Sequence, residues 1–401
     1  MPPLLLRGAR LPGGDVRDVL LDPDSGLVAR VAPAGLLSPV PDELDLTGYL
    51  LMTAGAEPHA HLDKALTWDR VGAPAGDLLG AVEAWRAHTL RVTEEDVFRR
   101  AAKTVDDLCA NGVTAVRSHV DLLTAGGDPL RGLRALLRLR KQLRGRVRLQ
   151  IAVLHVDAPE ELLHEALDLG ADLLGDCPHL SVDPAASLAR TLRIAAEHHV
   201  GVDLHADETL DPDAGDLRLL ARSVRERGLA AGVTASHCVS LGMVEPDEAM
   251  RTAKEVAAAG IGVVALPLTN LYLQGRGHPS GTPRGLTAVR ALLDAGVQVA
   301  AGGDNVRDPF NPVGRADPLE TASLLVTVGH LTPDEALHAV TAGARAVLGL
   351  PAAGPYEGAV ADLLAVRADS VSEVLGASCP DRLVFAGGRL VSRTSVHREF
   401  F

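Results

Sequence analysis

Between residues 51 and 304 the chain alternates short apolar runs of β type with Ala- and Leu-rich stretches of helical spacing, and this limits its possible folds more than any other feature. Strand followed by helix, repeated, predicts βα units and a parallel sheet, because parallel neighbours need a long crossover. Strands are expected at residues 51–57, 114–119, 148–155, 171–177, 201–205, 233–237, 260–267 and 297–304. That is the number needed to close an α/β (β/α)8 TIM barrel. Between them lie helical patterns such as "EEDVFRRAAKTVDDLCANG", "PEELLHEALDLG" and "PDEAMRTAKEVAAAG", each ending in the Gly that favours a helix C-cap.

The two ends read differently. "PLLLRGARL", "DVLLDPDSGLVARVAP" and "LDLTGYLLMTAG" at the start, with "AVADLLAVRAD" and "DRLVFAGGRLVSR" at the finish, are short strands separated by turns. The expected organisation is a barrel over residues 52–350 and a small β-rich unit assembled from residues 1–51 and 351–401. The gap covering residues 65–100, which contains "PAGDLLGAVEAWRAH", is expected to be an insertion over the barrel mouth.

A length of 401 residues with 47% hydrophobic content supports a large core. The net charge of −13 argues against a nucleic-acid or anionic-membrane partner, which would need clustered cations to release counterions. The one basic stretch, "RGLRALLRLRKQLRGRVR", has Arg interleaved with Leu at helical spacing and reads as an outer helix with solvated arginines. Cys109, Cys177, Cys238 and Cys379 form no C-x-x-C pair, and no signal peptide or long apolar run appears, so a reduced, cytoplasmic protein is expected.

Polar residues recur where the expected strands end: His59 and His61, His119 and Asp121, His155 and Asp157, His179, then His205, Asp207 and Glu208, then Ser236 and His237, then Asp304 and Asn305. In this kind of barrel the carboxyl ends of the strands form one rim, so these groups should converge. Residues two apart on a strand share a face, which lets His59 and His61 point inward together. With His205 and Asp304 they offer three neutral imidazoles and a carboxylate to one divalent ion, leaving a position for water. Any one of these histidines could be an ordinary hydrogen-bonded core residue. Burying so many ionisable groups at one barrel end without a metal or substrate would cost several kcal/mol, which favours the metal site.

Other motifs carry less. His164-Glu165 has no second His at zincin spacing, and His198 and His199 sit at a helix end where the dipole favours cations. The pairs Gly126-Gly127 and Gly302-Gly303 lack the strand, G-x-G-x-x-G and helix context of a nucleotide site. Cys238, next to His237, should turn away into barrel packing.

The pieces "EPHAHLDKALT", "VRSHVD", "GADLLGDCPH", "LHADE", "ASHCVSLG", "LTNLYLQGR" and "GGDNVRDPFNPVG" together resemble the amidohydrolase superfamily, and within it the cytosine deaminase-like group. The resemblance implies metal ligation by His59, His61, His205 and Asp304, general acid/base work by Glu208, and orientation of the metal-bound water by His237. It also implies that the β-rich ends form a small β-sandwich. No lysine falls at the fourth strand, where binuclear branches carry a carboxylated Lys, so a single Zn2+ or Fe2+ is expected. Such an ion lowers the pKa of its water toward about 7 and makes hydroxide available to attack an electrophilic ring carbon.

Two departures bear on the substrate. Val156 stands where cytosine deaminases carry a ring-reading Gln, with His155 before it and Asp157 after it, and Asn305 replaces an Asp. The implied substrate is an amino- or alkylamino-substituted nitrogen heterocycle other than cytosine, similar to that of members that act on N-alkylated s-triazines. Phe310 would supply an apolar wall, with Leu78 and Leu79 as lid residues. A barrel that binds a heterocycle or metal as a sensor without turnover is the alternative, and the resemblance is compatible with a homo-oligomer.

Overall fold

The computed structural model describes residues 2–71, 76–123, 126–228 and 231–401. Eight parallel strands form one sheet: β6 (Gly55–Ala60), β7 (Val113–Asp121), β8 (Arg148–His155), β9 (Leu173–Asp176), β10 (Gly201–Ala206), β11 (Val233–His237), β12 (Gly262–Ala265) and β13 (Val299–Ala301). They pair in strict chain order from β6 to β13, and a parallel bridge between Ala60 and Asp304 joins the two edges. The α/β barrel expected from the alternation is therefore present. Its strands are buried on both faces, as in a sheet sheathed by helices.

A second sheet carries the remaining strands: β1 (Leu4–Arg10), β2 (Val16–Asp22), β3 (Leu27–Pro33), β4 (Asp42–Asp45), β5 (Leu50–Thr53), β14 (Leu363–Val366), β15 (Arg382–Ala386) and β16 (Arg389–Thr394). The order β16-β15-β14-β5-β1-β2-β3, with β4 on β1, interleaves the two ends of the chain. Leu6, Leu21, Leu51, Leu363 and Phe385 fill its own apolar core.

The apolar run at 51–57 is not one strand. β5 pairs antiparallel with β14 in the terminal sheet, whereas β6 pairs with β7 in the barrel, and the chain crosses between sheets at Ala54, whose N–H goes to the Asp362 carbonyl. Both sheets need apolar residues here, so the run shows no break at the crossing.

The gap at 65–100 places the helix Leu78–Thr89 beside the barrel mouth; residues 72–75 of that expected insertion lie outside the described residues. Asp77 caps this helix by accepting from Gly80 N, and Trp85 is its buried anchor. The basic stretch forms the helix Arg131–Gln142, but Arg131 is not solvated: it is buried and donates to the Thr89 and Gly126 carbonyls, tying the mouth helix to the barrel wall.

Candidate active site

Strand ends bring His59, His61, His205 and Asp304 together. The His205 Nε2 lies 3.2 Å from His59 Nε2 and 3.1 Å from His61 Nε2, and Asp304 Oδ1 lies 3.8 and 3.5 Å from the same two histidine nitrogens. All four side chains are buried. Asp304 reaches this position with φ of +62°, a costly conformation for a non-glycine residue and one that turns its carboxylate over the cluster as β13 ends.

The donors fit a divalent cation. Both Asp304 carboxylate oxygens and His205 Nδ1 are buried without any hydrogen-bond partner, a cost proteins normally avoid. Burial drives His59, His61 and His205 well below the usual histidine range, so they are neutral, the form that ligates. Burial, together with the nearby Glu208 and Asp308 carboxylates, drives Asp304 up, so this crowd of acceptors lacks a positive charge at its centre. His59 Nδ1 is 2.9 Å from the Ser236 hydroxyl, which donates to Asp203, and Asp203 is clamped by Arg117 at 2.7 Å. Such outer partners fix ring orientation in metal sites.

His237 stands over the cluster at φ of +69°. Its Nδ1 lies 3.0 Å from Asn270 Oδ1 and 3.4 Å from Glu208 Oε1. Donation from Nδ1 to these oxygens leaves Nε2 as a lone-pair acceptor, and that buried nitrogen has no protein partner. Burial lowers the His237 pKa more than Glu208 raises it, so the ring is a neutral base.

A cavity of about 170 Å³ opens from these groups and is lined by His61, His205, Glu208, His237 and Asp304 at its base. His155, Val156, Asn305, Phe310 and Leu78 line it as well. His155 Nε2 meets the Thr191 hydroxyl at 3.0 Å, and Asn305 spends one amide N–H on Asp308, which leaves less of it for a ligand than its type alone implies.

Asp157 and Leu79 stand apart from this cavity. β8 ends at His155, and Asp157, at φ of +52°, swings into the loop, is exposed, and accepts from Val182 N. Leu79 sits one residue around the helix from Leu78 and is 65% exposed. The 100° step between adjacent helical residues allows only one of the two to face the mouth.

Several residues with no assigned role are also here. His119 lies beneath His59 with ring centroids 4.2 Å apart and neither ring nitrogen hydrogen bonded. Lys64 contacts His61 Nδ1 at 2.9 Å and Asp121 at 2.7 Å, and the Trp85 indole donates to the other Asp121 oxygen at 2.8 Å. His119 and Asp121 share the strand-end signal of the other site residues. Lys64, Trp85 and Asn270 have no such signal. Gly302 lies against Glu57, where an added Cβ would fall on the carboxylate, so the Gly302-Gly303 pair serves close packing. Cys238 is in the barrel core.

Residues 94–374 match the Amidohydrolase family, and the chain belongs to it. It is 33% identical over 381 residues to the pterin deaminase of Rhizobium rhizogenes, covering 92% of this chain and 86% of that protein. Among solved structures it is similar to the 5-methylcytosine deaminase of Klebsiella pneumoniae liganded with 5-fluorocytosine, with TM-score 0.88, 28% identity and 99% of each chain covered. It is also similar to the N-isopropylammelide isopropylaminohydrolase of Burkholderia multivorans, with TM-score 0.84, 30% identity, and 98% of this chain and 99% of that one covered. The chain is thus of the hydrolase class that cleaves C–N bonds, with a donor cluster suited to a metal.

Proposed function

We propose that the protein removes the exocyclic amino or alkylamino group of a nitrogen heterocycle other than cytosine by hydrolysis, yielding the oxo ring and ammonia or an amine. The observation that carries this reading is the pair His237 and Glu208 beside the three-histidine, one-aspartate cluster, at the base of a cavity sized for a small planar molecule. A purely binding protein has no need of a free basic nitrogen next to a carboxyl group placed to shuttle a proton.

His59, His61, His205 and Asp304 would hold one Zn2+ or Fe2+, which would supply the Lewis acidity that makes water nucleophilic near neutral pH. His237 Nε2, with no protein partner, accepts a hydrogen bond from the attacking water and orients it. Asp304, with both oxygens unpaired, takes the proton of that water. Glu208 gives its proton to a ring nitrogen, takes up the hydroxyl proton of the addition product as the oxo group forms, and passes it to the departing nitrogen, which leaves neutral; the proton on Asp304 then restores Glu208. Phe310, Leu78 and Val156 exclude bulk water from the ring faces.

The three relatives act, by name, on a pterin, on 5-methylcytosine and on an N-alkylated ammelide, all amino- or alkylamino-substituted rings. Val156 supplies no hydrogen bond for a cytosine edge, and a lost polar partner costs about 1–3 kcal/mol. The test is release of ammonia or isopropylamine by metal-loaded protein from pterin, 5-methylcytosine, N-isopropylammelide and cytosine. Turnover of at least one of the first three, with cytosine poorest, is expected. Saturable binding without release from any of them would identify a sensor instead.

A further inference from the structure

Val156 leaves open which protein group reads the heterocycle's polar edge. The lining of the cavity contains one buried cation, Lys64, which is 4% exposed. It follows β6 in a turn closed by Lys64 N to the His61 carbonyl, so its ammonium enters the cavity wall beside the cluster.

A lysine amino group has at least two N–H donors. Asp121 Oδ1 takes one at 2.7 Å. With His61 ligating through Nε2, Nδ1 at 2.9 Å carries the ring proton and is no acceptor for Lys64. At least one Lys64 N–H is then left without a protein acceptor. The Phe310 ring is a further neighbour, its centroid 5.6 Å from Nζ. The Trp85 indole, bonded to the second Asp121 oxygen, stops that carboxylate from rotating and so fixes where the ammonium sits.

We propose that Lys64 is a specificity-determining residue that donates its uncommitted N–H to a ring oxo oxygen of the substrate, so that the substrate class is amino-substituted oxo-heterocycles. This rests on the hydrolytic reading above. A buried, uncommitted N–H needs an acceptor, and a lactam carbonyl on the aminated ring supplies one where Val156 offers no side-chain amide. A heterocycle without the oxo group would leave the donor unpaired, and sites built to bond a polar group reject analogues lacking it by large factors.

The test compares 2-amino-4-oxopteridine with 2-aminopteridine in the metal-loaded wild type, K64M and K64R. Turnover is followed by kcat/KM, binding by calorimetry on the slow variant E208Q with and without K64M, and metal content is measured in every protein. The wild type is expected to favour the oxo compound by ~10²-fold or more, K64M to lose most of that ratio, and K64R to keep part of it. A wild type that treats both compounds alike overturns the Lys64 role and leaves the deaminase reading standing. Equal loss for both compounds in K64M, accompanied by metal loss, also overturns it, since Lys64 would then only support His61. Release from neither compound would count against the deaminase reading. Calorimetry then decides: tighter oxo binding that K64M abolishes sustains the role of Lys64, and absence of binding or of preference overturns it.

Discussion

Two regions of this molecule treat buried ionisable groups in opposite ways. Where the terminal sheet meets the barrel, Arg382 on β15 makes paired bonds of 2.9 and 2.8 Å to Asp317 and also donates to the Asn111 and Cys379 carbonyls. Arg345 and Asp362 pair at 2.8 Å in the same junction. Within the terminal sheet, burial alone would raise the Asp18 pKa, yet donors from Gly8, Gly35 and Arg7 outweigh it and hold the carboxylate below its usual range. At the barrel rim, by contrast, Asp304, His205 and His237 each bury polar atoms with no partner. Buried polar groups with partners hold pieces of chain together; a convergent cluster without them is completed by something outside the chain.

The sharpest break of this contrast is at Glu208. Glu208→Gln should retain the metal and the fold while lowering kcat by ~10²–10⁴, because proton transfer is removed from an intact donor set. Metal analysis beside turnover checks it; a nearly normal rate, or a protein stripped of metal, would contradict the role.

At the junction the opposite pattern is expected. Arg382→Ala strands Asp317 without its partner and should destabilise the protein by about 3–5 kcal/mol, with kcat per bound metal unchanged. A thermal melt together with titrated active sites reads both quantities. Reduced kcat in molecules that remain folded would show that the junction also shapes the rim.

The smallest effect concerns Glu57, whose carboxylate accepts from His59 N and Gly303 N. Burial, only partly offset by these donors, pushes its pKa to about 8. Its folded pKa thus lies above the unfolded one, so its contribution is fully present below the ordinary carboxylate pKa and is lost as pH rises toward 8. In chelated protein, Glu57→Gln should therefore gain stability relative to wild type between pH 5 and pH 8, by a few kcal/mol at most. Urea unfolding of both proteins at the two pH values measures it, and a pH-independent difference would refute it.

Much of this was legible in order along the chain. The expected strands 148–155 and 233–237 coincide with β8 and β11, because each is a short β-type run bounded by turn signals. The inward set at the strand ends was legible too, since period-two alternation needs no tertiary knowledge. Legibility failed where alternation stops. Counting on from His155 places Asp157 on the rim, but the chain leaves the strand at His155 and the positive φ of Asp157 reverses the direction. The run at 51–57 failed for another reason: hydrophobicity reports burial without saying in which sheet.

The sequence alone therefore determined the α/β barrel, the β character of both ends, and a histidine and aspartate set suited to one metal, because these follow from local periodicity and residue chemistry. Only the tertiary structure decided that Lys64 touches His61, that Trp85 on the mouth helix pins Asp121, and that Asn270 holds His237. Those contacts join residues whose spacing in the chain carries no period. They arise from where a turn, a crossing helix and a neighbouring strand end come to lie once the barrel closes.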